Sequence, residues 1–142
     1  MEPSILGLTI DSSIIIAAER KGQTVEQLFT DIRRMFGEID VAICAVTVAE
    51  LVHGVYRANG PEIRERRKAF IEELLRHFPV HAVTRETCEI VGRISAELAM
   101  KGIKIAFDDL AIGASALERG YAVATLNMRH FEKIPGLVVR RS

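Results

Sequence analysis

Along the chain, short apolar runs alternate with segments whose apolar residues recur at helical spacing. Leu6-Gly7-Leu8-Thr9-Ile10 is broken by Asp11, which predicts a buried strand with Asp11 at its carboxyl end. Ser12 and Ser13 then stand ready to cap a helix over 14–20. Thr24 and Gln27 have the spacing of a capping box and predict a helix over 24–36 that Gly37 ends. Residues 40–46 read as a second strand. From Thr47 onward Val48, Leu51, Val52 and Val55 mark a helix face, with Thr47 and Glu50 as another capping box.

Pro61 suits a first helical turn, and Phe70, Ile71, Leu74, Leu75 and Phe78 form the apolar stripe of a long helix that stops before Pro79. Residues 80–83 predict a third strand, and Thr84 caps a helix carrying Val91, Ile94 and Leu98 that Gly102 ends. Asp108 and Asp109 open a small-residue helix over 110–119, which Gly120 closes. Residues 121–125 are an apolar strand, 127–131 a turn or short helix, and 137–140 a last strand after Pro135-Gly136. This alternation predicts an α/β fold, a mostly parallel central sheet with helices on both faces, built from right-handed crossovers. Repeats, linkers and low-complexity stretches are absent, so residues 1–142 read as one domain.

Length and composition agree. A chain of 142 residues, 49% hydrophobic, buries roughly 68% of its unfolded surface on folding and needs no staple to do so. Cys44 and Cys88 form no CxxC pair and read as buried reduced thiols. The N-terminal stretch has no basic flank, and no apolar run reaches the ~18 residues of a membrane span, so a cytoplasmic protein is expected. Nineteen basic residues balance nineteen acidic ones, which excludes undirected electrostatic binding to a polyanion.

The distribution of the acids changes the picture. In a parallel sheet every strand-to-helix junction faces the same rim, so Asp11, Glu50 and the Asp108-Asp109 pair are brought to one edge. Ionised carboxylates crowded there repel unless a cation neutralises them. With no neighbouring His or Cys ligand in the set, the donors suit a hard ion, Mg2+ or Mn2+, whose use beside a phosphate is phosphoryl chemistry. Each acid also has a plainer account. Glu50 can complete the capping box of Thr47, Asp108 can be an N-cap, and Asp11 can sit on a helix dipole.

Four stretches together carry a likeness to a known family: Ile10-Asp11-Ser12-Ser13; Thr47-Val48-Ala49-Glu50-Leu51 with Gly54; Asp109 through Leu117; and Ala124-Thr125-Leu126-Asn127 followed by Phe131 through Leu137. Over nearly its whole length the chain resembles the PIN-domain nucleases, above all the VapC-type ribonuclease toxins of toxin–antitoxin modules. The resemblance implies a three-layer α/β/α sandwich and Mg2+-dependent (or Mn2+-dependent) hydrolysis of RNA phosphodiester bonds. It makes Asp11 and Asp109 the main metal ligands, with Glu50 orienting water or completing the shell. Thr125 and Asn127 match a polar corner beside the metal, which places Asn127 with the catalytic residues. Many relatives carry a fourth acid where this chain has His130. The implied partners are RNA, a small VapB-like antitoxin that inserts a segment into the cleft, and a second copy of the chain.

Two basic clusters could hold an RNA backbone: Arg57, Arg64, Arg66, Arg67 and Lys68, and then Arg129, Lys133, Arg140 and Arg141. The first also reads as a solvated helix face. With no Trp and only Tyr56 and Tyr121, a base-stacking platform is not expected. Two other classes compete. A PIN-fold module that kept antitoxin or RNA binding but lost its chemistry would account for His130. Nucleotide binding or phosphotransfer lacks its phosphate-cradling loops, since neither GxxxxGK[ST] nor GxGxxG is present.

Overall fold

In the computed structural model, which describes residues 4–142, twelve elements follow one another. They are β1 (Gly7–Ile10), α1 (Ser12–Arg20), α2 (Val25–Phe36), β2 (Asp40–Cys44), α3 (Ala45–Tyr56), α4 (Pro61–His77) and β3 (Val80–His81). Then come α5 (Arg85–Ala99), α6 (Phe107–Arg119), β4 (Tyr121–Thr125), α7 (Met128–Phe131) and β5 (Val139–Arg141). The strands form one sheet in the order β3-β2-β1-β4-β5, and every pairing is parallel. From β1 the chain winds outward through β2 and β3, then returns to β1's other side for β4 and β5. That reversal makes the gap between the carboxyl ends of β1 and β4 the topological switch point, where ligands bind in such sheets.

Two apolar layers cover the sheet. On one face Leu8, Ile10, Val41, Ile43, Ala122 and Ala124 pack with residues of α1 to α4, among them Ile15, Leu28, Leu51 and Leu74. On the other, Val123 and Cys44 pack with α5 and α6, together with Phe131 and Ile134. This is the expected three-layer sandwich. The small residues of α6 serve that closeness: a Cβ on Gly113 would stand 2.7 Å from Ile134 Cδ1. Gly7 is fixed for a similar reason, because the Tyr121 ring lies where its Cβ would be. Among the described residues no helix is long and apolar enough to cross a membrane.

Several boundaries differ from the sequence reading, for identifiable reasons. The second strand ends at Cys44 and α3 begins at Ala45, two residues before Thr47. The Thr47–Glu50 capping box therefore does not form, and Thr47 is buried in the helix's first turn with its hydroxyl unpartnered. Likewise α6 begins at Phe107 with Ala106 at its N-cap, so Asp108 is not a cap. Cys88 is exposed, not buried. On α5 the buried stripe runs through Thr87, Val91, Ile94 and Leu98, and Cys88 lies one residue, about 100°, off it.

Candidate active site

Asp11 terminates β1 and occupies the N-cap position of α1, yet it makes no capping hydrogen bond to that helix. Its carboxylate is turned to side-chain hydroxyls instead. Thr125 Oγ1 donates to Oδ2 at 2.7 Å and Ser13 Oγ donates to the same oxygen at 2.8 Å. Thr125 belongs to β4, the strand across the switch point, so the contact joins residues 114 apart in sequence. The Thr125 hydroxyl in turn accepts from the backbone N–H of Asn127 at 2.8 Å, and Ser13 Oγ accepts from Leu126 N–H at 3.1 Å. Asp11 is 5% exposed, and Oδ1 has only the long 3.4 Å contact from Ser12.

Glu50 lies on the second turn of α3, freed from the capping role its spacing had suggested. Its Oε1 is buried and has no hydrogen-bond partner. Burial pushes its carboxyl up to about 7, and the neighbouring charges of Asp11, Asp108 and Asp109 push the same way. Asp109, in the first turn of α6, is raised by burial and by Asp11 and Asp108, while His130 opposes the shift. The imidazole Nδ1 of His130 stands 3.3 Å from Asp109 Oδ2. Four carboxylates from three elements thus share one rim and feel one another, and His130 is their only basic partner among the described residues.

The fold brings Asp11, Glu50 and Asp109 to one rim, as the parallel topology predicts. Asn127 takes part differently: its backbone N–H is engaged, while its exposed side chain reaches none of the acids. Ser13, read only as a helix cap, instead donates to the Asp11 carboxylate. Its position two residues past a strand-ending acid was the available clue.

The donors fit a hard divalent cation. Glu50 Oε1 is orphaned and buried, Asp11 Oδ1 is barely engaged, and every candidate acid donor is oxygen. Among the described residues no three His, Cys, Asp or Glu side chains are grouped tightly enough to form a ready-made cage.

Beside Glu50 opens a groove of about 100 Å³ between α1, α3 and α4. Its walls are Ile15, Ile16, Leu51, Phe70 and Ile71, and Glu19 and Arg67 edge it. Arg67 donates to the carbonyl of Gly54 at 2.9 Å.

Known proteins are similar to this chain in sequence and fold. The PIN domain family model matches residues 8–137. Ribonuclease VapC1 of Rickettsia felis is 34% identical over 134 residues, 94% of this chain and 95% of its own. The tRNA(fMet)-specific endonuclease VapC of Salmonella typhimurium is 34% identical over 97 residues, 68% of this chain and 71% of its own. The crystal structure of DNA-bound VapBC from Salmonella typhimurium superposes with a TM-score of 0.80 at 26% identity, covering 96% of this chain and 98% of that one. With the family model spanning almost the whole fold and a ribonuclease relative aligned from end to end, the chain belongs to the PIN-domain family, among its VapC ribonucleases.

Proposed function

We propose that this chain is a Mg2+-dependent endoribonuclease, with Mn2+ as a substitute, and the toxin of a toxin–antitoxin pair. The observation that carries the reading is the acid cluster at the switch point, met by His130 alone among the described basic residues, and above all the buried, unpartnered oxygen of Glu50. A site that holds several carboxylates against repulsion is built for a cation. When bound, that cation supplies Lewis acidity, lowering the pKa of water and offsetting charge that builds on the phosphate.

The chain's own residues would do the rest. Asp11 and Asp109 hold the ion. Ser13 and Thr125 fix the Asp11 carboxylate in one rotamer, so its free edge faces the cleft. Glu50, beside Asp11 and Asp109 with a buried and unpartnered oxygen, can orient the attacking water and take its proton. The exposed amide of Asn127 stands at the mouth for a substrate oxygen. The relative from Salmonella typhimurium is named for tRNA(fMet), and a folded RNA of that size is the substrate to try first.

The partners belong to the same reading. A short VapB-like antitoxin would lay an apolar segment in the groove of Ile15, Leu51 and Phe70 and direct a basic side chain toward Glu50. A second copy of the chain completes the assembly, and the cytoplasm is the compartment.

The test is cleavage of a labelled tRNA by the purified protein. Activity should appear with Mg2+ or Mn2+, vanish in EDTA and return on adding the ion. Cleavage that persists in EDTA overturns the reading. No cleavage with any divalent ion, together with calorimetry showing no Mg2+ binding but intact antitoxin binding, would instead mark a binding module that has lost its chemistry.

A further inference from the structure

The two basic clusters meet different fates in the fold. On α4, Arg66 and Arg67 both face Glu19 of α1 at 3.9 Å, Arg67 also holds the Gly54 carbonyl, and Arg64 lies over the Tyr56 ring at 5.9 Å. Those cations fasten α4 to its neighbours. Over 61–77, five Lys and Arg residues stand among four acids, nearly cancelling.

The C-terminal cluster is placed otherwise. Arg141 is the β5 partner of Thr125, so its Cα lies about 5 Å from that of the residue whose hydroxyl holds Asp11. Paired positions in a parallel ladder share a face of the sheet, and Arg141 is exposed there. Arg129 immediately precedes His130, whose ring stands 3.3 Å from Asp109, and it too is exposed. Neither forms an ion pair among the described residues. Over 127–142 four basic residues face a single acid, Glu132.

We infer that Arg129 and Arg141 form the track that holds the RNA backbone on the β4–β5 side of the acids, and that the α4 cluster takes no part in it. The inference rests on the ribonuclease reading above. Arginine grips phosphate through paired N–H donors, and two such grips flanking the acids would draw the scissile phosphate over them. The grip is on the backbone and therefore sensitive to salt. The apolar groove lies across the cleft, between α1, α3 and α4. RNA and a protein segment would therefore reach the acids from opposite sides.

The test uses the full chain and a fluorescently labelled tRNA, with binding measured by anisotropy in EDTA across a salt series and cleavage measured separately in Mg2+. Arg129→Gln/Arg141→Gln should weaken binding at least tenfold at low salt and make the slope of log K against log salt shallower by about 2. KM should rise while kcat holds. Arg64→Gln/Lys68→Gln should bind and cleave as the wild type. Equal loss in both double variants, or an unchanged salt slope in the first, overturns the inference, as does wild-type protein that binds no RNA. Retained RNA binding with lost antitoxin binding in Arg129→Gln/Arg141→Gln overturns it in favour of a protein-facing surface. If the first variant loses RNA binding but the wild type never cleaves, the track stands and the ribonuclease reading falls.

Discussion

Helices begin in two ways in this molecule. α2 and α5 open on complete capping boxes, Thr24 with Gln27 and Thr84 with Thr87, each exchanging side-chain and backbone hydrogen bonds. α1, α3 and α6, whose first turns or N-caps carry or border the acid cluster, begin at Asp11, Cys44 and Ala106 with no side-chain cap at all. The first pair shows a helix start shaped by stability. The second group leaves backbone N–H groups and the positive ends of three helix dipoles facing the carboxylates. α4 and α7 also start without a side-chain cap, at Gly60 and Asn127, so an uncapped start accompanies the acids without being confined to them.

If that contrast is right, substitutions at the two kinds of start should separate activity from stability. The largest effect is expected from Asp11→Asn, which should cut Mg2+-dependent cleavage roughly a thousand-fold, about 4 kcal/mol in the barrier, with only a few degrees' change in Tm. A loss of activity that merely tracks unfolding would erase the distinction. Next, Thr125→Val strips Asp11 of its nearest donor and leaves the Asn127 N–H without its acceptor, which should cost about 2 kcal/mol in urea unfolding and lower activity as well.

Glu50→Gln sharpens the comparison by moving the two quantities in opposite directions. The native carboxyl sits at about 7 against 4.5 in a free chain, so between those values the folded state holds more protons than the unfolded one. Wild-type stability must then fall as pH rises from about 4.5 to about 7. In EDTA the Gln variant should be more stable by about 1–2 kcal/mol at pH 8, allowing for partial solvent screening, with no advantage below about pH 4.5. Urea midpoints across pH read this directly, and the variant should cleave poorly. The smallest effect is expected at the other kind of start. Thr24→Ala should cost about 1 kcal/mol, or about 3 °C in Tm, and leave cleavage unchanged.

The same contrast explains what could be read from the chain. α2 is found where Thr24 and Gln27 put it, β4 matches over 121–125, and Gly120 closes α6 in the left-handed conformation at φ 70°. These elements announce themselves locally. The starts of α3 and α6 did not: α3 enters straight from the apolar strand β2, so its uncapped first turn looks like more strand and TxxE invites a box that never forms, while α6 leaves an irregular segment at Ala106, which has no capping side chain. The positions of Asp11, Glu50 and Asp109 were legible because parallel topology alone brings strand ends to one rim. Their partners were not: Thr125 on Asp11 and His130 on Asp109 are tertiary meetings with no local pattern. The pairing of Glu19 with Arg66 and Arg67, which takes the α4 cluster out of consideration, is of the same kind.

The hydrogen bond from Thr125 to Asp11 also sets an order of events during synthesis. β1 lies in the middle of the sheet, but its second neighbour is almost the last strand to leave the ribosome. Until residues 121–125 emerge, β1 keeps a bare edge open to wrong pairings, and Asp11 lacks its closest donor. A nascent or truncated chain therefore carries the acids without the geometry that aligns them, and the competent site is completed only when the last strands dock.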